Sequence, residues 1–326
     1  MSSLKNSSLP RFLVTGATGF IGSHVVRALV TQGVLTTILV RERSSLWRLD
    51  DIKGKISILQ ADLAEVDQVV SAVEKAKATH VLHLGGGSLG KPWETDFGQI
   101  QASIDVNLRG TLNLLKALHQ SPVTVKCFIR MGGLLEYGDG PQPFREIQRE
   151  QPVSIYPALQ VATTMVLNAL KKNLDFPILT LRLASVYGPG RDLNFFVPSA
   201  IVHMLENKPF DMSSGEQRWD MLYIDDAVEA ILLAARSNLA TGEVINIGAG
   251  RSYRLKDIAT LVARLINSET VINLNAISEG SGNLAHLECD ISKATKLLAW
   301  QPKTEFEYGM KKTIAWYRDN YQKMRA

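Results

Sequence analysis

Short apolar runs and longer amphipathic stretches alternate along the first part of the chain. After an opening run at 11–15, the runs fall at 36–40, 56–60, 80–84, 126–131, 178–183 and 243–247, each of strand length. Apolar residues recur at helical spacing near 67–77, 104–120 and 158–172. Strand and helix in this order predict an α/β fold: a doubly wound parallel sheet with right-handed crossovers. Beyond Leu183 the alternation loosens, through Gly188-Pro189-Gly190, a helix near 197–206, Gly215 and a return toward the sheet at 221–224. After Gly250 come short helices and one short strand, 270–274. The expected division is a larger domain over 8–183, completed by 221–250, and a smaller lobe built from 184–220 and 251–326.

The first strand runs straight into Gly16-Ala17-Thr18-Gly19-Phe20-Ile21-Gly22 with a helix-forming stretch behind it. Three glycines at this spacing, between strand and helix, form the Rossmann-type turn that cradles a pyrophosphate. Gly16 permits the tight turn, Gly19 lets backbone N–H groups come close to phosphate, and Gly22 lets the helix pack on the strand with its positive end toward the ligand. About twenty residues on, where an acidic side chain would hold a ribose 2′-hydroxyl, stands Arg41, with Arg43 and Ser44 behind it. A guanidinium there suits a 2′-phosphate, so NADP(H) is expected over NAD(H).

Composition narrows the picture further. The chain has 326 residues, 45% of them hydrophobic, enough for a sizeable core. Its net charge of +4 is spread among interspersed acids and bases, with no basic run carrying interleaved aromatics, so nucleic-acid binding is not expected. Cys127 and Cys289 are far apart and read as two buried thiols. Residues 1–10 lack an apolar signal region and no later run is long enough to span a membrane, which leads to the expectation of a cytoplasmic protein. His80 and His83, three apart on a strand, should face opposite sides, which argues against a metal site.

Several further motifs stand in a fixed order: Asp62-Leu63 after the third strand, His83-Leu84 after the fourth, and Asn107 in Val-Asn-Leu-Arg-Gly-Thr-Leu-Asn-Leu-Leu. Leu181-Arg182-Leu183, Val186-Tyr187-Gly188-Pro189-Gly190, Leu222-Tyr223-Ile224-Asp225-Asp226, Asn246-Ile247-Gly248, Asp290-Ile291-Ser292-Lys293-Ala294 and Trp300-Gln301-Pro302 follow. With the glycine turn, this series resembles the extended short-chain dehydrogenases/reductases, the NAD-dependent epimerase/dehydratase group. Glu136-Tyr137-Gly138 and Gln217-Arg218-Trp219-Asp220 look most like nucleotide-sugar 4-ketoreductases and epimerases. The resemblance implies that Gly16, Gly19, Phe20, Ile21 and Gly22 line the pyrophosphate, that Asp62 and Leu63 meet the adenine, and that Leu84, Gly85 and Gly86 face the riboses. Asn107 joins the cofactor site on the same ground. The family usually has alanine at the position of Gly85. A homodimer is also expected, through the helices at 104–120 and 158–172, where Ala158, Val161, Ala162, Met165, Val166 and Ala169 supply two apolar faces.

The resemblance also shows what is missing. In relatives a tyrosine exchanges a proton with the substrate, a Ser or Thr polarises the carbonyl, and a lysine four residues after the tyrosine holds the ribose and lowers the phenol pKa. Tyr156 matches the tyrosine, but Gln160 stands at the lysine position and Gly133 at that of the Ser or Thr. Without a cation Tyr156 should titrate near 10, so reduction is easier to support than oxidation. Lys171 and Lys172 lie about 22–24 Å further along the helix, out of reach. Glu136, Tyr137, His83 and Lys91 are substitute acids by position alone. Dehydratases of the family carry Asp-Glu just after the Thr, where this chain has Leu134-Leu135. Relatives grip the nucleotide diphosphate partly through arginines before the last Asp-x-x-x-Ala; none occurs at 280–287, which leaves Arg218 and Arg191. Three readings stand at this point: an NADP-dependent reductase or epimerase of a nucleotide-linked keto-sugar, a cofactor-binding protein that has lost redox chemistry, and a reductase of a small non-nucleotide carbonyl compound.

Overall fold

The structure is a computed structural model that describes residues 9–86, 96–238, 241–278 and 284–324. Its centre is a sheet of seven parallel strands: β1 (Arg11–Thr15), β2 (Leu35–Val40), β3 (Ser57–Gln60), β4 (His80–His83), β5 (Cys127–Gly133), β6 (Ile178–Leu183) and, later in the chain, β10 (Val244–Ile247). Their order in space is β10-β6-β5-β4-β1-β2-β3.

Alternation of side chains along these strands makes two cores. Phe12, Val14, Leu82 and Ile129 face one way and pack with Val25, Val26 and Leu29 of α1 (Phe20–Thr31). Leu13, Val81 and Phe128, paired with one another across β1, β4 and β5, face the other way. There they meet Val69 and Val73 of α2 (Val66–Ala76) and Leu114 and Leu118 of α4 (Gly110–Gln120). Strand order reverses between β1 and β4, so the crevice where such sheets bind ligands opens between Thr15-Gly16 and His83-Leu84.

The expected helix at 104–120 is longer than its periodicity predicts. It starts with α3 (Phe97–Ile104), passes through a π turn at Asp105–Arg109 and continues as α4. The helix expected at 158–172 is α5 (Ile155–Leu170), which begins one residue before Tyr156.

A second unit covers the open end of the sheet. Strands β7 (Ser185–Tyr187), β9 (Arg218–Tyr223), β11 (Ser252–Arg254) and β13 (His286–Leu287) form a four-stranded sheet, and β8 (Phe210–Asp211) pairs with β12 (Ile272–Asn273). The helix expected near 197–206 is α6 (Phe196–Leu205), which precedes β8. The return to the large sheet expected at 221–224 is corrected. Met221, Leu222 and Tyr223 pair with Ser185, Val186 and Tyr187, and the chain re-enters the large sheet only at β10. An apolar strand records burial without recording which sheet it joins. Helix α7 (Ile224–Ala234) follows β9 and contributes Ala227, Ala230 and Ile231 to the core that α1 shares.

Candidate active site

The glycine turn has the conformation its spacing predicts. Gly16 has a positive φ of 66°, and a Cβ on it would overlap the Leu84 carbonyl oxygen across the crevice. A Cβ on Gly22 would overlap the Gly16 carbonyl oxygen, so this glycine sets how closely α1 approaches the turn. The Gly19 N–H donates to Gly16 O at 3.1 Å, and Gly19 caps α1 without any side-chain cap. Backbone N–H groups of Phe20, Ile21 and Gly22 thus stand at a helix N-terminus with no side-chain cap among the described residues, the arrangement an anionic phosphate takes.

The opposite wall is equally close-fitted. Thr15 Oγ1 lies 2.7 Å from His83 Nδ1 and accepts from the Gly85 N–H at 3.1 Å. A Cβ on Gly85 would sit 2.9 Å from that oxygen, and one on Gly86 (φ 121°) 2.8 Å from Asn107 Oδ1. Asn107 lies in the π turn, buried, and its Nδ2 donates to Ser103 O and Oγ at 2.9 and 3.1 Å. Single π turns inside α-helices tend to occur at functional sites, where they re-aim a side chain.

Of these residues, His83, Gly85, Gly86 and Asn107 border a cleft of about 310 Å³. Its lining includes Ile21, Leu84, Gly85, Gly86 and Asn107 together with Gly133, Tyr156 and Gln160, and Arg191 and Ser185 from the covering unit. Arg41 and Asp62 are not in this cleft. With Glu42 and Arg43 they border a wide, open depression past the ends of β2 and β3. Leu63 packs into the second core beneath Gly110, and its carbonyl accepts from Asn113 Nδ2 at 2.8 Å. Arg218 is outside the cleft as well, donating to Ser252 O at 3.1 Å. Arg191 is half-buried, its guanidinium 3.7 Å from the Phe195 ring centre and 5.4 Å from that of Phe20. Burial pulls its pKa down to about 10.

Of the four substitute acids, three are committed elsewhere. His83 has both ring nitrogens occupied, by Thr15 and by Thr111 Oγ1 at 2.9 Å, and burial with the nearby Arg130 charge pushes its pKa down to about 3. It is a neutral structural imidazole. Tyr137 is buried and donates to Asn246 Oδ1 at 2.8 Å. Glu136 accepts from the Gly133 N–H at 3.1 Å, from Thr164 Oγ1 at 2.9 Å, from Arg182 Nε at 3.0 Å and from Arg130 Nη1 at 3.3 Å. Lys91 lies outside the described residues. Lys171 donates to Gly242 O at 2.9 Å, at the far end of α5.

Two residues were missed from sequence. Ser185, at the start of β7, brings a hydroxyl to the cleft. Arg130 brings a cation: it is 3% exposed, donates to Thr164 Oγ1 at 2.8 Å and to Gln160 O at 3.2 Å, and its Nη2 also bonds Gln160 Oε1. The expectation that Tyr156 has no cation beside it and titrates near 10 is therefore corrected. Burial raises the phenol above 10, while the Arg130 charge and a hydrogen bond with Gln160 pull it back.

Comparison with known proteins accords with this geometry. The model of the NAD dependent epimerase/dehydratase family matches residues 12–248. The chain belongs to that family. A UDP-glucuronate 4-epimerase of Thermodesulfobacterium geofontis is 26% identical over 97% of this chain and 98% of its own. The human dTDP-D-glucose 4,6-dehydratase is 28% identical over 95% of this chain and 91% of its own. Among solved structures, the UDP-glucose 4-epimerase of Thermus thermophilus in complex with NAD superposes with a TM-score of 0.85 at 25% identity, covering 95% of this chain and 99% of the other. No helix among the described residues is long and apolar enough to cross a membrane.

Proposed function

We propose that this member of the family is an NADP(H)-dependent reductase or epimerase of a nucleotide-linked keto-sugar, with Tyr156 as proton donor. The observation that carries the reading is the single cleft that joins Leu84, Gly85 and Gly86, beside the glycine turn, to Tyr156. Glycines that a Cβ would jam on both crevice walls form a cradle that fits a dinucleotide pyrophosphate. A nicotinamide dinucleotide held there by Leu84, Gly85 and Gly86 would supply a hydride. Tyr156 supplies the matching proton to the carbonyl oxygen.

Reduction is the favoured direction within this reading. A phenol held above its ordinary pKa by burial stays protonated at neutral pH, ready to donate, whereas an epimerase must first use it as a base. Elimination of water is disfavoured because buried Leu134 and exposed Leu135 stand where the family's dehydratases carry carboxylates. The solved Thermus relative binds NAD. The preference for NADP(H) here rests on Arg41 and Arg43, exposed at the outer depression that Glu42 and Asp62 also border.

Gly133 favours a second reading, a dinucleotide-binding protein without turnover, since the carbonyl-polarising hydroxyl is absent. Titration calorimetry with NADPH and NADH, followed by a reduction assay on nucleotide-linked 4-keto sugars with wild type and Tyr156→Phe, tests both. Tighter NADPH binding and activity lost in Tyr156→Phe are expected. Binding without turnover would favour the second reading, and no binding of either dinucleotide would sink both.

A further inference from the structure

Strand β5 carries one charged residue in an otherwise apolar run, Cys127-Phe128-Ile129-Arg130-Met131, and the fold buries it at the floor of the cleft. Burial of a guanidinium is costly unless its hydrogen bonds are satisfied. Here most of its partners lie on α5: Thr164 Oγ1, Gln160 O and Gln160 Oε1. Tyr156 and Gln160 are four residues apart on that helix and share a face. A lysine at 160 would place its ammonium one turn from Tyr156. The Arg130 guanidinium reaches that same turn from the strand below.

The charges around it are unevenly shared. Arg182 on β6 faces both nearby carboxylates, with Nε 3.0 Å from Glu136 Oε2 and Nη2 2.6 Å from Glu150 Oε1. Glu136 is neutralised through Arg182 and further held by Thr164 and the Gly133 N–H. Arg130 has one carboxylate oxygen, at 3.3 Å, and turns its second terminal nitrogen to Gln160. From β4, His83 is neutral, and Tyr137 on the turn after β5 is bonded to Asn246. Of the two arginines, Arg130 is the one that borders the cleft with Tyr156 and Gln160.

We infer that Arg130 takes the place of the missing lysine: it is a positioning residue that holds positive charge against Gln160 and steadies the phenolate left when Tyr156 gives its proton to a carbonyl. Gln160 is the intermediary. Its Oε1 accepts from Arg130, which directs its Nε2 to the other side, 3.4 Å from Asn107 Oδ1. The influence on Tyr156 runs the expected way, since burial raises the phenol and Arg130 and Gln160 lower it, against Glu136. Charge supplied from a neighbouring strand has the same sign and acts on the same phenol as charge supplied from the next helical turn.

This inference rests on Tyr156 being the proton donor proposed above, and its test does not need turnover. The full chain would be labelled with 3-fluorotyrosine, whose phenol titrates lower than that of tyrosine, and the Tyr156 signal assigned by its loss in Tyr156→Phe. Fluorine NMR then follows its midpoint with pH in wild type, Arg130→Gln, Arg130→Lys and Arg130→Gln/Gln160→Lys. Loss of the Arg130 charge should raise the midpoint by about one unit or more, a tenfold loss of phenolate at a given pH. Arg130→Lys should keep most of the wild-type value, and the double variant, with its cation moved to α5, should bring it back. Should Arg130→Gln not fold, Arg130→Met fills similar volume without charge and replaces it. A midpoint unmoved by removal of the charge would overturn the inference while leaving the enzyme reading intact. Failure to bind any dinucleotide would sink that reading without touching the titration.

Discussion

Installing the family's lysine by Gln160→Lys should destabilise this protein rather than repair it. Gln160 is 7% exposed and its side-chain oxygen accepts from Arg130. An ammonium at that position would sit about 4 Å from the guanidinium, a repulsion of about 4 kcal/mol at an effective dielectric constant of about 20. The new lysine could escape by losing its proton. From a reference pKa of about 10.4 to pH 7 that costs about 4.6 kcal/mol, so neither route is cheap. The lost Arg130 hydrogen bond adds about 1.5–3 kcal/mol, and partial rearrangement of the side chains subtracts from the sum. A net loss of about 3–5 kcal/mol is expected in urea unfolding at pH 7. The decisive quantity is the coupling in a double-mutant cycle: in an Arg130→Gln background the same Gln160→Lys change should cost at least about 2 kcal/mol less. Additive costs, or a Gln160→Lys variant within about 1 kcal/mol of wild type, would refute the placement of Arg130 against α5.

Three further outcomes are expected. Gly22→Ala puts a methyl group into the Gly16 carbonyl and should weaken dinucleotide binding at least about tenfold by calorimetry, whereas Gly133→Ala, whose Cβ meets nothing nearer than Leu183 O at 3.8 Å, should bind as wild type does. His83 binds its proton near 6.5 when unfolded and only near about 3 when folded, so its share of the stability is complete above pH 6.5 and is lost as pH falls toward 3. That loss reaches about 2 kcal/mol by pH 5, and urea unfolding of His83→Gln at pH 7 and pH 5 should show a smaller decline than wild type by that amount. Asp220, raised to about 6 by burial, acts in the opposite sense and is common to both proteins, so the difference between them isolates His83. Sedimentation at micromolar concentration should show a dimer that Met165→Glu disrupts, because Met165 on α5 and Leu112 on α4 are exposed apolar residues on the two helices expected to pair; a wild-type monomer would contradict this.

The large sheet was legible because its inner strands are buried on both faces: every position of 178–183 is buried, and only Thr180 and Arg182 interrupt its apolar run. The glycine turn was legible because backbone conformation and close approach constrain residue type directly. The covering unit was harder: β8 and β12 are two residues each, too short for a period, and β9 resembles a strand of the large sheet. The buried network lay beyond local reading, since Thr15, His83 and Thr111 bond across 68 and 28 positions. Arg130 did leave a signal, a lone charge in a buried strand, but its partner Gln160 is thirty positions away and reads in sequence only as a lost lysine.

Gln160, which stands at the family's lysine position, is physically linked to the residues packed against it. Glu136 reaches back to accept the Gly133 N–H, and a Cβ on Gly132 would overlap its Oε1 and lie 3.1 Å from Arg130 Nη1. The ion pair therefore requires glycine at 132. Position 133 is different, because a Cβ there is free of conflict, so the fold itself does not demand the loss of the hydroxyl. Arg130 in turn excludes a lysine at 160, by like charge, and favours an amide whose oxygen can accept from it. Arg130, Gly132 and Gln160 thus form one local arrangement in which the positive charge sits on the strand rather than on the helix. Gly133 stands apart from that arrangement, and it is the position at which added chemistry meets least structural resistance.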